Sequence, residues 1–275
     1  MLTTPAASTL LIIVEMTFLR CTIPPSYSRG APAINRPFPR VLFRATPTSM
    51  IDDDKRIAAE AAVAEIRDGM LVGIGTGSTV AFAIRAIAAR LPELRQTIFF
   101  ATSIATEQAA RDVRVPIGRF ALASRLDLTI DGADEIDSAL RVIKGAGGAL
   151  LREKIVAEAS ERMVVIADAS KRVDRLGAAP LPVEVLPFAR SFVATRLAAL
   201  GAEPVLRMAD EGAWRSDQGN VIFDCHFASF PEPAGLAVAL QAIPGVMGHG
   251  LFLREIDAAY VADGGTVTKM ERNTT

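Results

Sequence analysis

Between residues 70 and 171, short apolar runs alternate with helical stretches, and each run breaks off into glycine or polar side chains. Residues 70–74, 97–101, 126–130 and 163–167 read as strands, the first a short apolar run of the kind a buried parallel strand shows. Between them, 79–91 has an amphipathic period closed by Pro92, while 105–112 and 147–159 read as further helices. Ahead of them, Asp52, Asp53 and Asp54 offer capping carboxylates to a helix through Ile57, Ala61, Ala64 and Ile66, which Asp68-Gly69 ends. This alternation predicts an α/β fold: a Rossmann-like parallel sheet with helices on both faces. Active residues in such sheets gather at the carboxyl ends of the strands. Here those ends are 75–79, 102–103, 131–135 and 168–171, and all four are polar or glycine-rich.

After Pro180 the rhythm changes. Strands at 183–186, 204–207, 220–226 and 246–252, with helices at 189–200 and 233–242, give the order βαββαβ. That order predicts a smaller ferredoxin-like α+β domain. The stretch 258–262, with Val267, is placed to return a strand to the first sheet. The expected division is therefore 50–180 with 256–275 as the α/β catalytic domain, and 181–255 as the small domain.

Residues 1–49 do not share this pattern. They hold seven prolines, five arginines and a single acidic residue, Glu15. Prolines at that density break helices and strand ladders. The apolar stretch 10–19, interrupted by Glu15, is too short for a membrane span and lacks the preceding basic residues of a secretory signal. The segment reads as a non-globular extension: a transit segment, a disordered tail, or the product of a start codon placed upstream of Met50. The abrupt onset of globular pattern at Met50 favours the last. A cytoplasmic setting is expected, or an organellar one if 1–49 is a transit segment.

Composition narrows the chemistry. Thirty basic side chains face 31 acidic ones, so no basic excess points to nucleic acid, and no stretch after Met50 points to a membrane. Two cysteines, Cys21 and Cys225, exclude a disulfide scaffold. Two histidines, His226 and His249, leave little for a metal centre or a serine–histidine–aspartate triad. Acid–base work falls to carboxylates and lysines. Only five of the basic residues are lysine, and three of those, Lys144, Lys154 and Lys171, lie between 144 and 171.

Three motifs carry the chemistry, two of them at strand ends. Gly73 to Thr79 (GIGTGST) joins a strand to a helix, so bare N–H groups and a helix start suit an anion, with Ser78 and Thr79 adding hydroxyls and capping. A dinucleotide site would need a further glycine and an acid ending the second strand; neither is present. Asp131, Asp134, Glu135 and Asp137 put four carboxylates in seven residues, which suits a solvated turn, capping, a magnesium ion or a sugar. Lys144-Gly145-Ala146-Gly147-Gly148 is a second glycine turn with a lysine at its mouth, and Glu153 follows in the ensuing helix. Glycine turns, hydroxyls and lysines hold phosphate, while carboxylates beside a lysine move protons next to a carbonyl. Together they suggest a metal-free proton-transfer enzyme acting on a sugar phosphate.

These motifs, in this order, resemble ribose-5-phosphate isomerases of the A type. GIGTGST at 73–79, DGADEID at 131–137, KGAGGALLREK at 144–154, ADASK at 167–171, LPVEVLPFA at 181–189, DQGNVIFD at 217–224 and PGVMGHGLF at 244–252 carry the resemblance, which spans about 51–269. It implies an aldose–ketose isomerase converting ribose 5-phosphate and ribulose 5-phosphate through an enediol, with no cofactor and no metal. It assigns Glu153 as the base between C1 and C2, Asp131 to ring opening, Asp134 to the hydroxyls and Lys144 to the oxyanion. Thr76, Gly77, Ser78, Thr79, Gly132, Ala133, Gly145, Ala146, Gly147 and Lys171 would complete the substrate site. A homodimer or homotetramer is also implied. Ala146 stands where the family commonly has glycine, and the irregular stretch 207–217, with Trp214, lies outside the catalytic motifs. A sugar-phosphate sensor would need a helix-turn-helix that 1–49 cannot supply. A CoA transferase using a glutamate nucleophile would form a covalent intermediate.

Overall fold

The first helix, α1 (Met50–Val63), begins earlier than its acidic run suggests, because Ser49 caps it by accepting the Asp52 N–H at 3.2 Å. Asp54 is not a cap. It is buried and accepts the N–H groups of Gly264 and Gly265 at 3.1 and 2.8 Å. The structure, a computed structural model, describes residues 49–272. The expectations for the proline-rich extension fall, apart from Ser49, outside the described residues.

From α1 the chain runs through β1 (Leu71–Ile74), α2 (Ser78–Arg90), β2 (Ile98–Ala101), α3 (Ile104–Asp112) and β3 (Leu128–Gly132). The short strands β4 (Glu135–Ile136) and β5 (Val142–Ile143) precede α4 (Leu150–Glu158) and β6 (Met163–Asp168). Next come β7 (Leu181–Val185), α5 (Arg190–Ala199), β8 (Ala202–Leu206), β9 (Met208–Ala209), β10 (Gly212–Ala213), β11 (Val221–Phe227), α6 (Pro233–Gln241) and β12 (Val246–His249). The chain closes with β13 (Leu251–Phe252), β14 (Ala258–Asp263) and β15 (Thr266–Glu271).

The main sheet has the order β15-β14-β6-β3-β1-β2, parallel throughout except for β15 at the edge. The returning strand expected near 258–262 is β14, and β15 extends it as a hairpin. All six residues of β6 are buried, and they alternate between faces as strand geometry requires. Val164 and Ile166 join Ala58, Ala62, Ala83, Ile84, Ile87 and Ala110, so α1, α2 and α3 share one face. Val165 and Ala167 join Ala157, Val142 and Phe252 on the other. That second face is covered by a single helix, α4, together with a small sheet of order β13-β5-β4, which the sequence pattern did not predict.

The strands β12-β7-β11-β8 form an antiparallel sheet in the ferredoxin-like order, with its own apolar cluster around Val183, Val193, Leu197, Phe223 and Leu240. The run 246–252, expected as one strand, breaks at Gly250. A Cβ there would lie 2.1 Å from the Lys144 carbonyl, and that residue exchanges bonds with both layers. Gly250 N–H donates to Pro182 O at 2.8 Å, and Gly250 O accepts the Lys144 N–H at 2.9 Å. The break therefore seats the backbone of Lys144 against the small sheet. Among the described residues, no helix is long and apolar enough to cross a membrane.

Candidate active site

Three of the four polar strand ends converge on one cavity of about 270 Å³. Its wall holds Thr76, Gly77, Ser78, Thr79, Gly132, Ala133, Asp134, Lys144, Gly145, Ala146, Gly147, Glu153 and Lys171. Every expected site residue except Asp131 is in that wall. Asp131 lies beneath it, fully buried near the end of β3.

Backbone fixes Asp131 first. Its Oδ1 accepts the N–H groups of Thr76 at 3.0 Å and Gly132 at 2.7 Å. Gly75 must be glycine for this to happen, since a Cβ there would stand 1.8 Å from that same oxygen. Gly75→Ala is therefore expected to push Asp131 off its donors. The overpacking penalty is about 1–3 kcal/mol of stability, and kcat/KM should fall more than tenfold. Steady-state kinetics with a thermal melt checks this, and wild-type values for both would refute it.

Asp131 in turn meets Lys144, whose side chain is only 2 % exposed. Lys144 Nζ lies 2.9 Å from Asp131 Oδ2 and 3.5 Å from Glu153 Oε2, and it donates to the Gly132 carbonyl. Glu153 reaches the cluster because α4 begins at Leu150 and not at 147 as expected; the glycines form the loop, and Glu153 sits in the first turn. Burial, reinforced by the Asp131 charge and opposed by Lys144, pushes the Glu153 carboxyl up from 4.5 to about 8. Burial also raises Asp131, with Lys144 and the two backbone donors pulling the other way. For Lys144, burial works against the charged form, but Asp131 and Glu153 outweigh it and hold the ammonium protonated. The result is a buried cation with a neighbouring carboxylic group poised to gain or lose a proton near neutral pH.

Around this cluster the loops are arranged for anions. Gly77, at φ +132°, is the N-cap of α2 and makes no side-chain cap, so Ser78 and Thr79 do not cap as the sequence suggested. The start of α2 stays directed at the cavity with its N–H groups available. Thr76 Oγ1 lies 2.9, 2.8 and 3.0 Å from the hydroxyls of Thr102, Ser103 and Thr106. Thr106 was not anticipated; its only sequence signal is its place three residues after the Ser103 cap of α3. Lys171 closes a single turn after β6. Asp134 Oδ2 accepts the Ala146 N–H at 2.9 Å, tying the two motifs together.

The acidic motif divides. Glu135 accepts the Gly177 N–H at 2.7 Å and also that of Ala179, while Asp137 is held by Arg141 at 2.6 Å, so both are structural. Among the described residues, no group of three or more His, Cys, Asp or Glu is arranged to hold a metal. His249 is buried away from solvent, and burial pushes it down to about 4. Cys225 is a buried thiol pushed up to about 12 by the same cause.

Comparison with known proteins places the chain in a family. The family model for ribose 5-phosphate isomerase A (phosphoriboisomerase A) matches residues 98–265. Ribose-5-phosphate isomerase A of Sphingopyxis alaskensis is 51 % identical over 219 residues, covering 80 % of this chain and 96 % of its own. The fold is similar to that of ribose 5 phosphate isomerase A from Neisseria gonorrhoeae, with a TM-score of 0.76 at 37 % identity, over 82 % of this chain and 99 % of that one. It is also similar to a D-ribose-5-phosphate isomerase solved in complex with phospho-erythronic acid, at TM-score 0.78, 34 % identity and coverage of 81 % and 99 %. With half of the aligned residues identical across nearly a whole relative, and the same fold, this chain belongs to the ribose 5-phosphate isomerase A family.

Proposed function

We propose that this chain interconverts D-ribose 5-phosphate and D-ribulose 5-phosphate through a 1,2-enediol, using side chains alone. The observation that carries this is one buried ammonium between two carboxylates, at the wall of a cavity otherwise lined by anion-binding loops.

In the open-chain aldose, the Glu153 carboxylate takes the proton from C2, and the electron pair of the broken C–H bond becomes the C1–C2 double bond. The carbonyl pair moves onto O1, where Lys144 stabilises the charge and supplies a proton, giving the enediol. O2 then loses its proton, and Glu153 returns the carried proton to C1, leaving the ketone at C2. Lys144 regains its proton from O2, so the enzyme ends as it began. Asp131 assists ring opening through Lys144, 2.9 Å away, because it has no surface of its own in the cavity. Asp134 orients sugar hydroxyls from the wall. Thr76, Gly77, Ser78, Thr79, Gly132, Ala133, Gly145, Ala146, Gly147 and Lys171 hold the rest of the substrate and its phosphate. We take 50–180 with 256–275 as the catalytic domain and 181–255 as the smaller one. A homodimer or homotetramer in the cytoplasm completes the proposal, on family resemblance.

The pH profile tests the base. Glu153 must be ionised to act, so kcat/KM for ribose 5-phosphate is expected to rise with pH through a midpoint near 8 and level off above it, unchanged by EDTA. A profile flat from pH 6 to 9 would count against Glu153. Stability should run the other way. The folded-state value lies above the ordinary 4.5, so the contribution of protonated Glu153 is complete below pH 4.5 and is lost as pH rises through 8.

A further inference from the structure

The irregular stretch after β8 carries a device aimed at the catalytic loop. Arg207 leaves the small sheet and pairs through Nε and Nη2 with both oxygens of Asp224, at 2.9 and 2.5 Å. Its remaining nitrogen, Nη1, donates to two consecutive carbonyls, Gly145 at 3.2 Å and Ala146 at 3.1 Å. The Trp214 ring, 5.7 Å from the guanidinium, lies against Gly148, where a Cβ would stand 2.1 Å from the indole. Gly148 has φ +79° as well, so no other residue fits there without strain. Neither Arg207 nor Trp214 is in the cavity wall. The loop after Lys144 therefore has the cavity on one side and this fork and ring on the other.

Peptide geometry turns this anchorage into an orientation. A trans peptide puts its C=O and N–H on opposite sides, and the described chain contains no cis bond. With the Gly145 carbonyl held outward, the Ala146 N–H faces the other way, where it donates to Asp134 at 2.9 Å. With the Ala146 carbonyl held outward, the Gly147 N–H is turned the same way, toward the cavity that Gly147 lines. The Gly145 carbonyl also accepts the Gly148 N–H at 2.9 Å, so Arg207 shares the first peptide with that turn, while Gly145, at φ +105°, gives the segment the freedom to flip where these bonds are lost. A flipped peptide would present a carbonyl oxygen to an anionic substrate in place of a donor.

We infer that Arg207 is a positioning residue for the isomerisation: it holds two consecutive peptides, the first together with the Gly148 N–H and Asp134, so that the N–H groups of Ala146 and Gly147 face the substrate side. This rests on the proposed function. It extends the site to a side chain that touches neither substrate nor reacting atoms, and that stands 62 residues beyond the loop it controls. Arginine is needed because one planar fork spans a carboxylate and two carbonyls at once; a lysine ammonium is a point donor.

The test uses the full chain as wild type, Arg207→Met and Arg207→Lys. Expected for Arg207→Met is a fall of about 30-fold in kcat/KM, with Arg207→Lys recovering less than a third of wild-type activity. The amide ¹H–¹⁵N signals of Ala146 and Gly147 should shift with ribose 5-phosphate in wild type and stay still in Arg207→Met. A purely structural role would lower the melting temperature but leave those shifts and the kinetics of the folded fraction intact, and that result overturns the inference. If Arg207→Met does not fold, full activity in Arg207→Lys overturns it equally. Should wild type fail to turn over ribose 5-phosphate, the function proposal falls. The response of the same amides to inorganic phosphate, with and without Arg207, then still decides the positioning role.

Discussion

Glu153→Gln is expected to lower kcat for ribose 5-phosphate by about 10³- to 10⁴-fold, with KM within about threefold of wild type; the size follows from removing a general base whose contribution is about 10²–10⁴. The amide matches the carboxyl in shape, so packing in the first turn of α4 is kept, and the loss belongs to proton transfer. An effect on kcat alone is the signature of a group used in the transition state and not in binding. The same variant should be more stable than wild type above pH 8, because it removes a charge that burial penalises first and Asp131 penalises further. Below pH 4.5 the two proteins should melt together. Retention of more than a tenth of wild-type kcat would exclude Glu153 as the base.

Lys144→Met is expected to be the most destabilising single change in the site. It leaves Asp131 and Glu153, both buried, with no cation between them. Breaking a buried ion pair by removing one partner costs about 3–5 kcal/mol, which for a chain of this size lowers the melting temperature by about 6–20 °C. The penalty must depend on pH. At pH 5 the carboxyls, already held above their ordinary range, take up protons and the defect is small; it grows as pH rises toward 8 and beyond, because each charge formed without Lys144 is penalised further. Melts of the variant and wild type at both pH values check the size and the direction. Equal melting temperatures at pH 8 would mean that Lys144 is not the countercharge of this cluster. Turnover should be lost at either pH, since the oxyanion has no other ammonium within the triad.

Much of this was legible from residue order, and the reasons are physical. β1 and β6 are buried on both faces, so their apolar runs are unbroken and readable; the order β12-β7-β11-β8 follows from a regular βαββαβ spacing. The site was legible because glycine, lysine and carboxylate crowded at the ends of buried strands weaken a core and suit a polar ligand. What escaped was set by tertiary contact. Gly250 splits one apolar run into two strands because the Lys144 carbonyl occupies the space of a side chain. β4 and β5 are two residues each, too short to show any period. Ser49 competes successfully with three aspartates for the cap, while Asp54 serves a hairpin more than 200 residues away. Arg207 and Trp214 lie in a stretch without pattern, and only the folded chain brings them to Gly145 and Gly148. Within the acidic motif, nothing in the order of residues separates Asp131 and Asp134 from the structural Glu135 and Asp137.

The central claim is a proton carried between C2 and C1 by a side chain, and isotope exchange tests it most directly. Wild type held at equilibrium with ribose 5-phosphate in D₂O should wash deuterium progressively into C1 of ribulose 5-phosphate and C2 of ribose 5-phosphate, and nowhere else, while Glu153→Gln should do so at a rate reduced in step with its turnover. Interconversion through many cycles with both positions remaining fully protiated would mean direct hydride transfer, and the enediol account would be wrong.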